Sequence, residues 1–171
     1  MEGEMLLSIP VHFDPEQLAN KLHISLEREE YQEFLDFLET AMKIARPKAA
    51  YRIGYIESKG PDWVMIGDVK IKSRVLRVNL DTAHRVFIFL ATCGSELEEW
   101  SHQATDYLMQ FWADMIKEDV LDQALQFLIN HIIEQYEPGK TSSMSPGSLH
   151  DWPLPAQKEV FTILGNYSHE I

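Results

Sequence analysis

The residues with the clearest chemical signal lie in one segment, residues 144–164, which reads MSPGSLHDWPLPAQKEVFTIL. Its Pro146-Gly147 pair predicts a tight turn, and Trp152-Pro153-Leu154-Pro155 follows as a second rigid element. Two such restraints around His150 and Asp151 predict an ordered loop. Ordered loops on a rigid scaffold often bind ligands, but a packed connection to the last helix, with its tryptophan as the plug, has the same composition. Both interpretations stay open.

The histidines and the cysteine lack the spacing of a metal site or a nucleophile site. The seven histidines include no pair four residues apart and no carboxylate at ligand spacing, so a zinc or iron site built by the protein is not expected. Phosphate-binding, dinucleotide-binding and serine-hydrolase signatures are missing from the sequence. Cys93 precedes a predicted helix, which would lower its pKa, but a small buried hydrophobe is the favoured interpretation. No catalytic residue is predicted.

Composition and charge narrow the class of protein. With 171 residues and 45% apolar residues, the chain is predicted to form one domain over residues 1–171. It has no apolar run of membrane-spanning length and no secretory leader, so a soluble, cytoplasmic protein is expected. The net charge of −12 argues against nucleic acid as a partner.

Residues 43–85 nevertheless carry ten basic and four acidic residues, a charge of +6. This asymmetry indicates a face that steers an acidic partner or, as the favoured interpretation, a solvated sheet face.

Periodicity and end signals predict four helices, at about residues 14–22, 29–45, 97–136 and 155–164. Asp14 is the expected N-cap of the first helix, with Pro15 at its first position. Ser95 is the expected N-cap of the third helix, which is so long that a break is expected near residues 114–118. Large side chains recur at helical spacing in that region. The favoured interpretation is that they pack in the core, and the alternative is that they form a surface for a planar cofactor. They are Trp100, Met109, Phe111, Trp112, Met115 and Phe127.

Short β-prone runs occupy the middle of the chain, at residues 49–56, 63–66, 69–75 and 85–91. Turn residues at 58–62 predict antiparallel pairing of the first two runs. The third run alternates strictly, so Lys70, Lys72 and Arg74 are expected on one face of a strand. The fourth is apolar after Arg85 and is expected to be a fully buried central strand. Helices before and after a block of strands predict an α+β fold.

Three segments, taken in order, carry a resemblance to a known family. Residues 45–52 read ARPKAAYR, residues 89–97 read FLATCGSEL, and the third segment contains Ser145-Pro146-Gly147, Asp151-Trp152-Pro153-Leu154 and Gln157-Lys158. Together they resemble the activation (S-adenosylmethionine-binding) domain of cobalamin-dependent methionine synthase. Its small standalone forms have a signature close to R-x-S-P-G-Y-x-D-[WF]-P. The first two segments are similar to the family's helix-to-strand connection and to its A-T-x-G-x-E-[VL] strand-to-helix turn.

The resemblance implies a fold and a partner. The fold is α+β, with a central, mostly antiparallel twisted sheet flanked by helices. The family's domain binds S-adenosylmethionine and closes over a corrinoid, so that an inactive cob(II)alamin, once reduced by one electron, is remethylated. The chain would then meet cobalamin only through a partner, either a corrinoid protein or a cobalamin-dependent methyltransferase. Whether the chain is itself an enzyme stays open.

The family's cofactor positions correspond to Gln126, Glu137, Ser143, Pro146, Gly147 and Ser148 of this sequence. The motif arginine falls at Ser143 and the motif tyrosine at Ser148, while two family glutamates fall near Gln126 and Glu137. Serine supplies only a hydroxyl, whereas arginine would supply a charged guanidinium group and tyrosine an aromatic ring. Loss of a buried charge-assisted contact costs about 2 to 5 kcal/mol, so S-adenosylmethionine binding is predicted to be weak. Two functions stay open: a role in reductive reactivation of the corrinoid, and a non-catalytic, regulatory protein-binding module that has lost S-adenosylmethionine binding.

Overall fold

The computed structural model describes residues 2–27, 29–104 and 106–171. In chain order, the elements are β1 (Gly3–Leu6), α1 (Pro15–Lys21), α2 (Glu29–Ile44), β2 (Lys48–Lys59), β3 (Trp63–Ile66), β4 (Val69–Lys72), α3 (Arg74–Asn79), β5 (Arg85–Thr92), α4 (Ser95–Ser101), α5 (Tyr107–Tyr136) and α6 (Gln157–Leu164). Short 3-10 helices at Leu154–Ala156 and Gly165–His169 precede and follow α6.

The five strands belong to one sheet. Strands β1, β2, β3 and β4 are neighbours in that order, and β5 also pairs with β2. The β2–β3 and β3–β4 pairs are antiparallel, with Trp63 opposite Lys72 and Ile66 opposite Val69 in the second pair. The α+β prediction with a mostly antiparallel sheet is confirmed. Membership of the activation-domain fold family stays a prediction.

The chain divides into two compact units. Unit 1 comprises Met1–Met5, Ala50–Leu90 and Ile132–Ile171, and unit 2 comprises Leu6–Ala49 and Ala91–His131. The single domain predicted for residues 1–171 therefore stays a prediction, and the two units are described separately below.

In unit 2, helices α1, α2, α4 and the first part of α5 contribute to one core. Trp112 is fully buried, and its ring meets that of Phe34 edge-on with the centroids 5.4 Å apart. Ile116 and Val120 follow Trp112 at steps of four and are also fully buried. Because this apolar face is continuous, α5 continues through residues 114–118, and the break predicted at those residues is wrong. The interruption lies between α4 and α5, although Thr105 is outside the described residues.

The capping predictions had two outcomes. Asp14 caps α1, and its Oδ1 accepts the N–H of Gln17 at 3.0 Å, as expected. Ser95 is wrong as a cap, because it is the first residue of α4 and the cap is Gly94, with φ of 97° and no side-chain hydrogen bond. A backbone with that φ favours glycine, so the chain enters α4 through a glycine turn.

In unit 1, the strand predicted at residues 69–75 is too long. Strand β4 ends at Lys72, and the buried Ser73 caps α3 by accepting the N–H of Leu76 at 2.9 Å. Arg74 is therefore the first residue of a helix, and the prediction that it lies on a strand face with Lys70 and Lys72 is wrong. The cap explains the change, because a hydroxyl that takes up a free helix N–H stabilises a helix start.

The prediction of a fully buried central strand at residues 85–91 is also wrong. Of the residues in β5, only Ile88 is buried, and most of the others are partly buried. Among the described strands β5 pairs with β2 alone, so it lies at an edge of the sheet. Its apolar side chains still contribute to unit 1, where Ile88 packs in a core with Val64, Leu76 and Leu164.

Candidate functional site

The Ser-Pro-Gly motif forms a closed turn in unit 1. The Ser148 hydroxyl donates to the Ser145 carbonyl at 2.6 Å and accepts the Ser145 N–H at 3.0 Å. Gly147 has φ of 91°, and its N–H donates to the carbonyl of Trp152 at 2.7 Å. The ordered loop predicted from the sequence is therefore present. The hydroxyl of Ser148 is occupied within the turn itself.

Asp151, the next polar residue of the motif, closes the start of α3. Its Oδ1 accepts the Ser73 hydroxyl at 2.7 Å, and its Oδ2 accepts the N–H groups of Arg74 at 2.6 Å and Val75 at 3.2 Å. The hydrogen bond from Ser73 and those from the two backbone N–H groups lower the pKa of Asp151 below its usual range, and the nearby His150 adds to this effect. A carboxylate at this place satisfies N–H groups that have no partner within the helix.

The lowered pKa of Asp151 predicts loss of stability in acid. A carboxyl group whose pKa is lower in the folded state than in the unfolded state stabilises the folded protein at pH values above its unfolded pKa. This contribution is lost as the pH falls through the folded pKa. We therefore expect the wild type to be more stable than Asp151→Asn at about pH 5 and this advantage to shrink towards about pH 2.5. Urea unfolding at both values measures it, with Glu134→Gln, an exposed carboxylate of α5, as the control. A stability difference that does not change with pH would contradict the assignment.

Trp152 packs the loop onto unit 1. Its side chain is only 5% exposed and lies in the core that includes Ile163 and Leu164. Its indole N–H has no hydrogen-bond partner among the described residues, so packing rather than polar bonding fixes the ring. This confirms the interpretation that the tryptophan packs the connection to the last helix against the core. Ligand binding by the rest of the loop stays a prediction.

The predicted cofactor positions are divided between the two units. Pro146, Gly147 and Ser148 share the closed turn of unit 1. Glu137 and Ser143 belong to the same unit and are exposed, and Glu137 follows α5 with a positive φ of 41°. Gln126 belongs to unit 2, where it is exposed on α5 and its amide donates to Asn130 Oδ1 at 2.9 Å. Ligand roles for all six residues stay predictions.

A buried tyrosine network in unit 1 was missed by the sequence interpretation. The hydroxyl of Tyr51 lies 3.0 Å from that of Tyr136, 3.1 Å from Gln135 Oε1 and 3.2 Å from Glu4 Oε2. Burial, followed by the influence of Tyr136 and Glu4, raises the pKa of Tyr51 well above its usual value. Tyr51 therefore stays protonated. Its neighbours come from distant parts of the chain, so the only local signal was a tyrosine inside an apolar run.

The aromatic residues of the long helical region separate into two groups. In unit 2, Trp112 is fully buried, and Trp100, Met109 and Met115 pack partly against the same core. Phe111 and Phe127 are 52% and 37% exposed. The core interpretation is therefore confirmed for the first group and wrong for these two phenylalanines. Each of them precedes a fully buried residue, Trp112 or Leu128, and successive side chains of a helix point about 100° apart, so both lie off the buried face of α5.

Cys93 and its charged neighbours do not form a reactive centre. Burial raises the pKa of the Cys93 thiol, which disfavours the thiolate, and the side chain is only partly buried where it packs against the core of unit 2. Nearby in unit 2, Lys117 Nζ lies 2.8 Å from Glu98 and 3.0 Å from Asp114. Burial alone would lower the pKa of Lys117, but these two carboxylates raise it overall, so the ammonium is a structural cation.

Two absences concern the part of the chain that the structure describes. No group of three or more histidine, cysteine, aspartate or glutamate side chains there is arranged to hold a metal ion. None of the helices there is both long enough and apolar enough to cross a membrane. In comparisons with known proteins, neither a protein-family model nor a curated protein matched the chain.

Proposed function

We propose that the chain is an activation-domain-like protein that acts with a cobalamin-dependent methyltransferase, in the reductive reactivation of its corrinoid. The proposal starts from the three sequence segments that resemble the activation domain. The observation that carries it is the loop of unit 1, in which Gly147 bonds to Trp152 and Asp151 caps α3. The residues that define the family motif are thus the residues that give this loop its shape.

The same loop argues against family-like binding of S-adenosylmethionine. Ser143 is exposed and lacks the guanidinium group that an arginine would supply. The Ser148 hydroxyl is already hydrogen-bonded to Ser145. These two positions therefore do not fit the cofactor in the way that arginine and tyrosine would. The proposed role is contact with the corrinoid protein and does not require tight binding of S-adenosylmethionine by this chain.

Mixing the chain with a corrinoid protein in its cob(II)alamin state tests the proposal. We expect the two proteins to co-elute in size-exclusion chromatography and the visible spectrum of the corrinoid to change on mixing. Calorimetric titration with S-adenosylmethionine in the same buffer should give a dissociation constant no tighter than about 1 mM, or about −4 kcal/mol. The absence of both a complex and a spectral change would reject the proposal.

A second candidate function is a regulatory module that binds an acidic protein through β4. Strand β4 pairs with β3 alone among the described strands, and both Lys70 and Lys72 are exposed on it. The Lys70 ammonium lies 4.3 Å from the centroid of the Trp63 ring, and Lys72 Nζ lies 3.8 Å from Asp62, with its side chain 81% exposed. Such an edge presents two cations on a rigid strand, where they can steer an acidic partner.

Charge reversal separates the two candidates. Lys70→Glu with Lys72→Glu should abolish capture of an acidic partner if β4 is the docking face. The matched control is Lys140→Glu with Lys158→Glu, because both lysines are exposed and the change in net charge is the same. If Lys70→Glu with Lys72→Glu captures the acidic partner as well as the control variant does, the β4 candidate is excluded. Unchanged binding of the corrinoid protein by both double variants leaves the first proposal standing.

A further inference from the structure

A cavity of about 370 Å³ lies in unit 1 between α3 and the loop that precedes Trp152. Its lining residues are Arg74, Val75, Val78, Asn79, His150 and Asp151. We propose that this cavity binds a small organic carboxylate with a short alkyl chain. The inference rests on none of the predicted cofactor positions, although Asp151 belongs to the loop that supports the proposed function.

Among the polar groups that line the cavity, the Arg74 guanidinium favours an anion and the Asp151 carboxylate opposes one. The only acidic lining residue, Asp151, has both oxygens occupied by Ser73 and by the first N–H groups of α3. The start of the short helix is therefore already satisfied and does not supply the site. The side chains of Arg74, Asn79 and His150 have no hydrogen bond or ion pair within the described residues, so their donors are available to a ligand.

The apolar groups favour a carboxylate over phosphate. Arg74 offers a planar fork that matches the two oxygens of a carboxylate. Val75 and Val78 form the neighbouring wall, and Val78 is 60% exposed, so an alkyl chain would cover apolar surface that water now contacts. The guanidinium group also fits phosphate, but a phosphate has no alkyl chain and would leave the valine wall uncovered. The geometry therefore points to a ligand such as butyrate.

Titration with butyrate, acetate and inorganic phosphate, followed by the backbone amide signals of Arg74, Asn79 and His150 in NMR spectra, tests the inference. We expect butyrate to bind up to about fifteenfold more tightly than acetate, because each of its two additional methylenes contributes about 0.8 kcal/mol when it is buried. Arg74→Gln should weaken butyrate binding about tenfold or more. Val78→Ser should reduce the preference for butyrate over acetate.

Lys72→Gln is the matched control, because it removes the same charge two residues away at a position that does not line the cavity. It should change butyrate binding by less than about twofold. The exposed position of Arg74 should leave the far-UV circular dichroism spectrum of Arg74→Gln unchanged. Equal binding of acetate and butyrate, tighter binding of phosphate, or an unchanged Arg74→Gln variant would each overturn the inference.

Discussion

Replacement of Trp152 by alanine is expected to lower the free energy of unfolding by about 3 to 5 kcal/mol. The side chain is 5% exposed and packs in the core of unit 1 with Ile71, Leu76 and Ile163. Removing it leaves a cavity that the surrounding strand and helix residues can fill only in part. Urea unfolding followed by far-UV circular dichroism measures the change without relying on tryptophan fluorescence.

Two variants make this result specific. Leu154→Ala changes a side chain two residues further along the chain that is 61% exposed, and its effect should stay within about 0.5 kcal/mol. Trp152→Phe keeps an aromatic ring and removes an indole N–H that has no partner among the described residues, so most of the stability should return. Equal effects of Trp152→Ala and Leu154→Ala would show that the tryptophan is not a core residue.

The features that the sequence predicted correctly are those with local causes. Asp14 and Pro15 predict the start of α1, because the Asp14 cap and the fixed φ of Pro15 act within one helical turn. Strand β3 matches the predicted run at residues 63–66, and α6 ends at Leu164 where Gly165 takes a positive φ of 61°. In each case the decisive residue lies within a few positions of the structure that it determines.

Two missed features have causes that lie far away in the chain. The strand predicted at residues 69–75 includes the first two residues of α3, because the local Ser73 cap is supported there by Asp151, which is 77 residues from Arg74. The Tyr51 network joins residues 85 positions apart in its contact with Tyr136. Local periodicity contains no information about such partners.

The candidate site shows the same division. Pro146 and Gly147 were sufficient to predict an ordered turn, because proline and glycine restrict the backbone locally. The role of Ser148 required the structure, because a serine in a loop can face either a ligand or its own backbone. Here its hydroxyl closes the turn with Ser145, which accounts for a serine at this position without any ligand.

The turn that leads into α4 gives the second large expected effect. Gly94 has φ of 97° and ψ of 141°, and its N–H donates to the Thr92 hydroxyl at 3.1 Å. A Cβ added at Gly94 would lie 2.6 Å from the carbonyl oxygen of Arg46. Both the backbone angle and the close approach of another backbone segment therefore require glycine, in a stretch that carries part of the family resemblance.

Gly94→Ala is expected to lower the free energy of unfolding by about 3 kcal/mol, because backbone strain and a clash with a main-chain atom add together. Gly139→Ala is the matched control, since Gly139 also has a positive φ, of 76°, but no atom lies within 4 Å of its added Cβ. Its cost should be about 1 kcal/mol, the cost of strain alone. Thermal and urea unfolding of the two variants compare these effects. Equal destabilisation would mean that the approach of Arg46 contributes nothing, and that the glycine of this segment reflects the backbone angle only.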